Sequence, residues 1–305
     1  MVTTVSALPV RTHAALPHSS AVSAGFLIAA CLVASSAVQV AFAQNAPPTD
    51  TKNTSPWDVS VGASVVTMPE YEGASKAMVG VVPDLNIRYK TNGFGTFALG
   101  SKSKGLSWTA IETEAYSVGV SLGDNTLRTD KKKGTVFTPG SLRLKGMGEI
   151  KSAAELGVFG RVDLGIPINL TVLRGTGDGK ADAKDGSIRG HGGTTVELST
   201  SIPWQVTSDL GLFFSPQIVW ADKKYQQAYF GVTSVQAAAS GFKAYSPGPG
   251  LKSAGLVVGA DYKISPNWSA NAAVVFSQLL GDAAKSPLVQ RKSQATLATG
   301  IAYKF

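Results

Sequence analysis

Apolar and polar side chains alternate with a period of two along most of the chain beyond residue 56. This rhythm restricts the fold more than any other feature of the sequence. Between residues 79 and 90, Val79, Val81, Pro83, Leu85, Ile87 and Tyr89 share one face, and Gly80, Val82, Asp84, Asn86, Arg88 and Lys90 share the other. Successive strand side chains point to opposite sides, whereas a helix would scatter these charges around its circumference. The same separation recurs over residues 57–65, 95–100, 106–111, 116–122, 150–164, 168–173, 196–202, 210–220, 256–264, 268–276 and 294–305, so the sequence predicts twelve strands. Phe213 breaks the alternation within 210–220.

The connections sort into two kinds. Residues 91–94, 112–115, 165–167, 205–209 and 265–267 make short links, while 68–78, 124–148, 175–190, 223–250 and 278–292 make long polar ones; 101–105 is a short member of the second set. Short and long links alternating along an even number of strands is the pattern of an all-β, antiparallel, up-and-down transmembrane barrel of the outer-membrane type, with both termini on the periplasmic side. A soluble exported sandwich or lipocalin-like barrel is the alternative, because alternation does not say which face points outward. Three features favour the membrane. The second face mixes both charge signs with Gly, Ser and Thr. Trp57, Tyr89, Tyr116, Trp204, Trp220, Trp268 and Tyr303 fall near strand ends, where aromatic girdles sit. The chain ends inside an alternating strand, with Ile301, Tyr303 and Phe305 on its apolar face, the form expected of a signal read by the barrel insertion machinery.

The first 43 residues differ from the rest. Arg11 is their only charged side chain, the run from Ala21 is uncharged, and it closes on Ala41-Phe42-Ala43. This is the form of a secretory signal peptide cleaved between Ala43 and Gln44. An uncleaved anchor, or a lipoprotein box at Cys31, are the alternatives. Residues 44–56 then read as a flexible lead-in rich in Pro, Asn and Thr, and 57–305 as the barrel. Cys31 is the only cysteine, so the exported part would hold no disulfide and no cysteine metal site. The excess of 28 Lys and Arg over 20 Asp and Glu is spread along the chain, without the basic stripe that nucleic acid requires.

Several stretches resemble the MltA-interacting protein family, also called MipA/OmpV. They are PEYEG at 69–73, LKGMGEIKSAAELGVFGRV at 144–162, YQQAYFGVTSVQAAASGFKAYSPGPG at 225–250 and LLGDAAKSPLVQRKSQATLATGIAYKF at 279–305. The resemblance implies an outer-membrane barrel. It further implies a scaffold joining a lytic transglycosylase to a penicillin-binding protein in murein turnover. Other members look like porins or adhesins, so a small-solute channel stands as the alternative.

Chemistry-bearing residues are few. Asp58, Asp84, Glu155, Asp163, Glu197 and Asp261, against Arg88, Lys90, Lys151, Arg161 and Lys263, are expected to face the lumen. Balance between the signs suits a lumen closed by ion pairs, or a narrow unselective pore, better than a strongly selective one. The 223–250 loop is long enough to fold inward and plug it. His191 is the only histidine after the N-terminal segment, and no Gly-x-Ser-x-Gly motif accompanies it, so a plain residue at a loop edge is the expectation rather than a catalytic base. Asp178, Asp182 and Asp185 miss the spacing of a calcium loop, and Lys180 and Lys184 partly cancel their charge. Lys131, Lys132 and Lys133 form a solvated loop tip or a contact for lipopolysaccharide phosphates. No enzyme, cofactor or metal is expected; lipid, lipopolysaccharide and the insertion machinery are the general partners.

Overall fold

The computed structural model describes residues 55–100, 105–131 and 133–305. The expected signal peptide, its cleavage point at Ala43 and Gln44, and most of the lead-in therefore lie outside the described residues. The strands are β1 (Trp57–Pro69), β2 (Ala77–Lys90), β3 (Thr96–Gly100), β4 (Gly105–Glu112), β5 (Tyr116–Asp124), β6 (Ile150–Lys151), β7 (Ala154–Asp163), β8 (Pro167–Gly175), β9 (Ile188–Arg189), β10 (Thr194–Thr200), β11 (Ile202–Gln205), β12 (Leu210–Ala221), β13 (Gly250–Lys263), β14 (Trp268–Leu279) and β15 (Ser293–Lys304). Neighbours in the main sheet follow chain order and pair antiparallel. β1 closes on β15, with Val61 opposite Tyr303, and β10 closes on β12, with Leu198 opposite Ile218. The result is a closed barrel of twelve antiparallel staves.

Two of the expected strands are drawn differently. Residues 150–164 are not one strand: β6 leaves the wall and pairs in parallel with β9, and the stave proper begins at Ala154. Residues 196–202 extend to Gln205 as β10 and β11, interrupted at Ser201. The register survives the break, since Ser199 faces Gln217 and Ile202 faces Phe214, so the two pieces form one stave.

The alternation has a single physical reading in this barrel. Val61, Val65, Val79, Val81, Val118, Val120, Leu156, Val158, Leu297 and Ile301 are all exposed, Val79 as much as 68%, and they stand on the outer face. An apolar face turned away from the interior makes sense where the surroundings are hydrocarbon. The short-turn end carries most of the aromatic belt. Trp57 and Tyr89 lie 4.4 Å apart, Phe94 stacks on Trp108 at 5.2 Å, and Tyr303 lies 5.2 Å from Trp268 and 5.0 Å from Phe305. Trp220 belongs to the opposite end.

The wall is uneven. β12 to β15 with β1 and β2 run 12–14 residues, whereas β3 and β4 have 5 and 8. β2 pairs with β3 only from Asn86 to Lys90. Residues 77–85 of β2 pair, among the described strands, with β1 alone.

Candidate functional site

The interior is filled at three levels. At mid-height, Phe213 points inward and is buried against Val257, Ala273 and Val275. It stands directly opposite Gly259, where any Cβ would come within 2.1 Å of the Phe213 ring. Phe159 stands over Gly119 in the same way, at 2.3 Å. The residue that breaks the alternation in β12 is thus an aromatic turned into the lumen, and a missing side chain across the ladder gives its ring room.

Toward the short turns the inner face carries charge pairs. Lys304 Nζ donates to Asp58 at 2.8 Å, Arg161 to Asp163 at 2.6 Å, and Arg88 bonds Glu112, which also accepts from Thr96. Asn86 donates to Asp84 at 2.7 Å. Lys90 and Lys263 are exposed at this end, and Asp261 lies part-buried on β13. Glu197 is half-buried, with one carboxylate oxygen lacking a hydrogen-bond partner. Lys151 falls in β6, outside the staves, with its side chain exposed; its place on the lumen face is corrected, because the chain leaves the wall there.

At the opposite mouth the long connections build a cap with its own dry core. Residues 222–249 carry two helices, α1 (Lys223–Phe230) and α2 (Ser234–Ser240). Asp222 caps α1, and Thr233 with Gln236 forms a reciprocal capping box on α2, which ends at Gly241 in the left-handed region. Tyr71, Leu144, Met147, Val232 and Leu288, from four separate connections, pack together, and Leu144, Met147 and Leu288 are essentially inaccessible. A second cluster joins Ile150, Ile188, Phe230 and Leu279. A third lies just inside the mouth, where Val136 of the 125–149 connection packs on Val66, Met78 and Val82 and lies over Gly80. Gln236 stitches the layers by donating to the carbonyls of Met147 at 2.7 Å and Gly186 at 3.0 Å.

His191 is part of this cap. It is 1% exposed; its Nδ1 accepts from the Gly193 N–H at 3.0 Å, so Nε2 carries the proton and donates to Glu155 at 3.0 Å. Both ring nitrogens are committed, and Tyr225 stands edge-on at 4.9 Å. The arrangement holds the loop onto β7. His191 stands at the loop edge before β10, as a buried tie rather than a solvated residue. Asp178, Asp182 and Asp185 each accept a backbone N–H two residues on, from Lys180, Lys184 and Ser187, forming turns along the loop. The Ser187 N–H holds the Asp185 carboxyl below its usual value. Among the described residues no group of three or more His, Cys, Asp or Glu is placed to hold a metal ion. Lys131 bonds Glu149 at 3.2 Å.

Sequence reasoning did not single out Arg128, Tyr229, Gln236 or the Lys252–Glu72 pair. The capping box of α2 was a readable signal for one of them. The others gather from distant connections and leave no local trace.

An apolar outer face, an aromatic belt and a polar inner face define a transmembrane β-barrel of the outer-membrane type, here with its long connections packed together at one mouth. The family model described as MltA-interacting protein MipA matches residues 61–305, and the chain belongs to that family. The MltA-interacting proteins of Escherichia coli (strain K12) and Shigella flexneri are each 28% identical over 120 residues, covering 37% of this chain and 48% of the relative. The match thus spans about half the length of those relatives. Among solved structures, an outer membrane channel from Pseudomonas putida F1 shares 9% identity at a TM-score of 0.48, covering 86% of this chain and 100% of its own. The KdgM porin shares 10% at 0.39, covering 81% and 99%.

Proposed function

We propose that this protein is a non-conducting outer-membrane docking barrel for murein enzymes. It binds a lytic transglycosylase, the class of partner that the relatives' name points to, and through it a penicillin-binding protein. The observation that carries this reading is the cap packed over one mouth. A cap with an inaccessible core, above inward Phe213 and Phe159 and a rim of ion pairs, leaves little for a free diffusion pore to work with. A barrel that does not conduct acts through its surfaces. The surface on the murein side is the rim of short turns, with exposed Lys90 and Lys263 beside the paired charges. Residues 1–43 act as a signal peptide removed after Ala43, residues 44–56 lead into β1, and the cap faces outward, where Lys131 meets lipopolysaccharide.

The test has two arms. Photo-crosslinkers at Thr207 and Gly165 on the short turns should capture a murein hydrolase in envelope extracts. The purified barrel should be silent in planar bilayers and should conduct once residues 223–249 are replaced by a short linker. Steady conductance by the intact barrel, with no hydrolase captured, would establish the small-solute channel instead.

A further inference from the structure

Under the cap, where the 125–149 connection and α1 meet the ends of β1, β14 and β15, lies a cavity of about 110 Å³. A dry cavity of about 150 Å³ is known to admit benzene, so space on this scale holds the body of a small organic molecule. Strand register sets its floor. Val275 stands directly opposite Thr296, and Ser277 opposite Gln294, and all four line the cavity from β14 and β15. Met68, Leu127 and Pro139 add apolar wall, and Tyr225 and Tyr229 of α1 add two rings 4.6 Å apart.

The polar groups of the lining divide into engaged and open. The Tyr71 and Tyr229 hydroxyls donate to the carbonyls of Leu288 at 3.1 Å and Thr126 at 2.7 Å. The Gln294 amide accepts from the Gly73 N–H at 2.9 Å and donates to the Ala74 carbonyl at 3.1 Å. Tyr225, Ser277 and Thr296 differ. No described residue hydrogen-bonds to their hydroxyls, and these oxygens, unlike Ser215 Oγ, are not sealed from open space. An unpaired hydroxyl on an apolar wall is costly, and a guest with one matching polar group removes that cost.

The charges select a neutral guest. The lining holds one acid and one base. Glu72, its only exposed member, is held by Lys252 at 2.7 Å. Arg128 donates from Nη1 to the Tyr229 carbonyl at 2.8 Å, its Nε and Nη2 are sealed, and the Asp130 carboxylate acts on it. Burial raises the Tyr225 and Tyr229 phenols well above their usual value, so both stay uncharged. A guest of either sign would meet a like charge and no unengaged counter-ion.

We propose that this cavity is a binding site for a small uncharged phenol. The ring lies against Met68, Leu127 and Val275, beneath α1, and the hydroxyl bonds the open hydroxyls of Ser277 and Thr296. An apolar pocket with a few convergent polar groups is the usual form of a small-molecule site. This inference is independent of the docking reading, since a capped barrel that holds such a guest need not pass it.

The experiment uses the full barrel refolded in detergent, with heat-modifiable gel mobility as the check on folding. Phenol, benzene, benzoate and benzylamine are titrated by calorimetry. Each is also titrated into Ser277→Phe, whose added ring fills the cavity from β14, so that this variant reports uptake by the micelle alone. Phenol should saturate one to one in the native barrel and show no saturable binding in Ser277→Phe. Benzoate and the benzylammonium ion should bind at least about tenfold more weakly. Ser277→Ala combined with Thr296→Val keeps the shape and removes both hydroxyls; it should weaken phenol about fivefold or more and leave benzene no weaker. Should Ser277→Phe fail to fold, this near-isosteric pair carries the test. Benzene binding as tightly as phenol to the native barrel would mark a plain apolar void and overturn the proposal. So would either ion matching phenol, phenol binding the double variant as well as the native barrel, or the absence of saturable phenol binding.

Discussion

At the scale of the residue, the interior rests on pairs in which one member is absent. Phe213 and Phe159 each fill the space above a glycine directly across the ladder, Gly259 and Gly119. Gly259→Val should therefore drive the Phe213 ring from its place and destabilise the barrel by about 1–3 kcal/mol, the usual cost of overpacking, read as a lower urea midpoint of unfolding in lipid vesicles. Gly259→Val combined with Phe213→Ala should recover part of that loss. The edge-on contact of Tyr303 with Phe305 motivates a second expectation. We propose that Ile301, Tyr303 and Phe305 are read during insertion. Phe305→Tyr should reach the outer membrane at normal yield, and Phe305→Asp, which sets a charge beside lipid, should not; equal membrane yields of the two would remove that role. Asp282 carries a pH expectation. Its carboxylate accepts from the Gly248 N–H at 2.9 Å and, with Lys285 beside it, is held below its ordinary 3.8. A depressed acid contributes stability above its unfolded value and loses it as pH falls through the folded one. Hydrogen exchange at Gly248, corrected for intrinsic rate, should thus be flat down to about pH 4 and accelerate below it.

At the scale of the element, the cap depends on ends rather than faces. α2 has seven residues, too few to persist alone, and its capping box and its Gln236 bonds hold it in place. Thr233→Ala should cost about 1 kcal/mol. Gln236→Leu should cost more, because it orphans two buried carbonyls, and the loss should appear as faster hydrogen exchange at Met147 and Gly186 while the staves stay protected. The same contrast explains what was legible beforehand. Each stave writes its position locally, since lipid demands an apolar residue at every second place, and residues 79–90 or 268–276 could be assigned from that demand alone. The inner face obeys no such rule. Whether Phe213 is tolerated there depends on Gly259, 46 positions away. Whether residues 150–164 continue as one strand depends on Ile188 drawing Ile150 out of the wall. The inward ion pairs were readable as a balance of charge but not as partners, because Asp58 meets Lys304 only when the first and last staves close. Arg128 left no signal at all, because the Tyr229 carbonyl it meets comes from α1, 101 positions away.

At the scale of the whole molecule, the barrel is lopsided. Six tall staves from β12 round to β2 oppose lower ones, and the wall is lowest at β3 and β4. A strand needs about 9–11 residues to cross a bilayer, more than β3 and β4 have within their described bounds. Mutations that lengthen this hairpin should be silent for docking at the rim of short turns. They should change the melting temperature in thick and thin bilayers by different amounts, measured in vesicles of two chain lengths. The low arc has a mechanical meaning for the membrane itself. Beside it, residues 77–85 of β2 pair, among the described strands, with β1 alone. A bilayer of uniform thickness would be mismatched along this sector, at a cost of fractions of a kcal/mol per Å, and thinning of the leaflet there would relieve it. The barrel is then an anisotropic inclusion. Such an inclusion should gather shorter-chain lipids on one side, and two copies should lower their joint elastic strain by turning their low arcs toward one another.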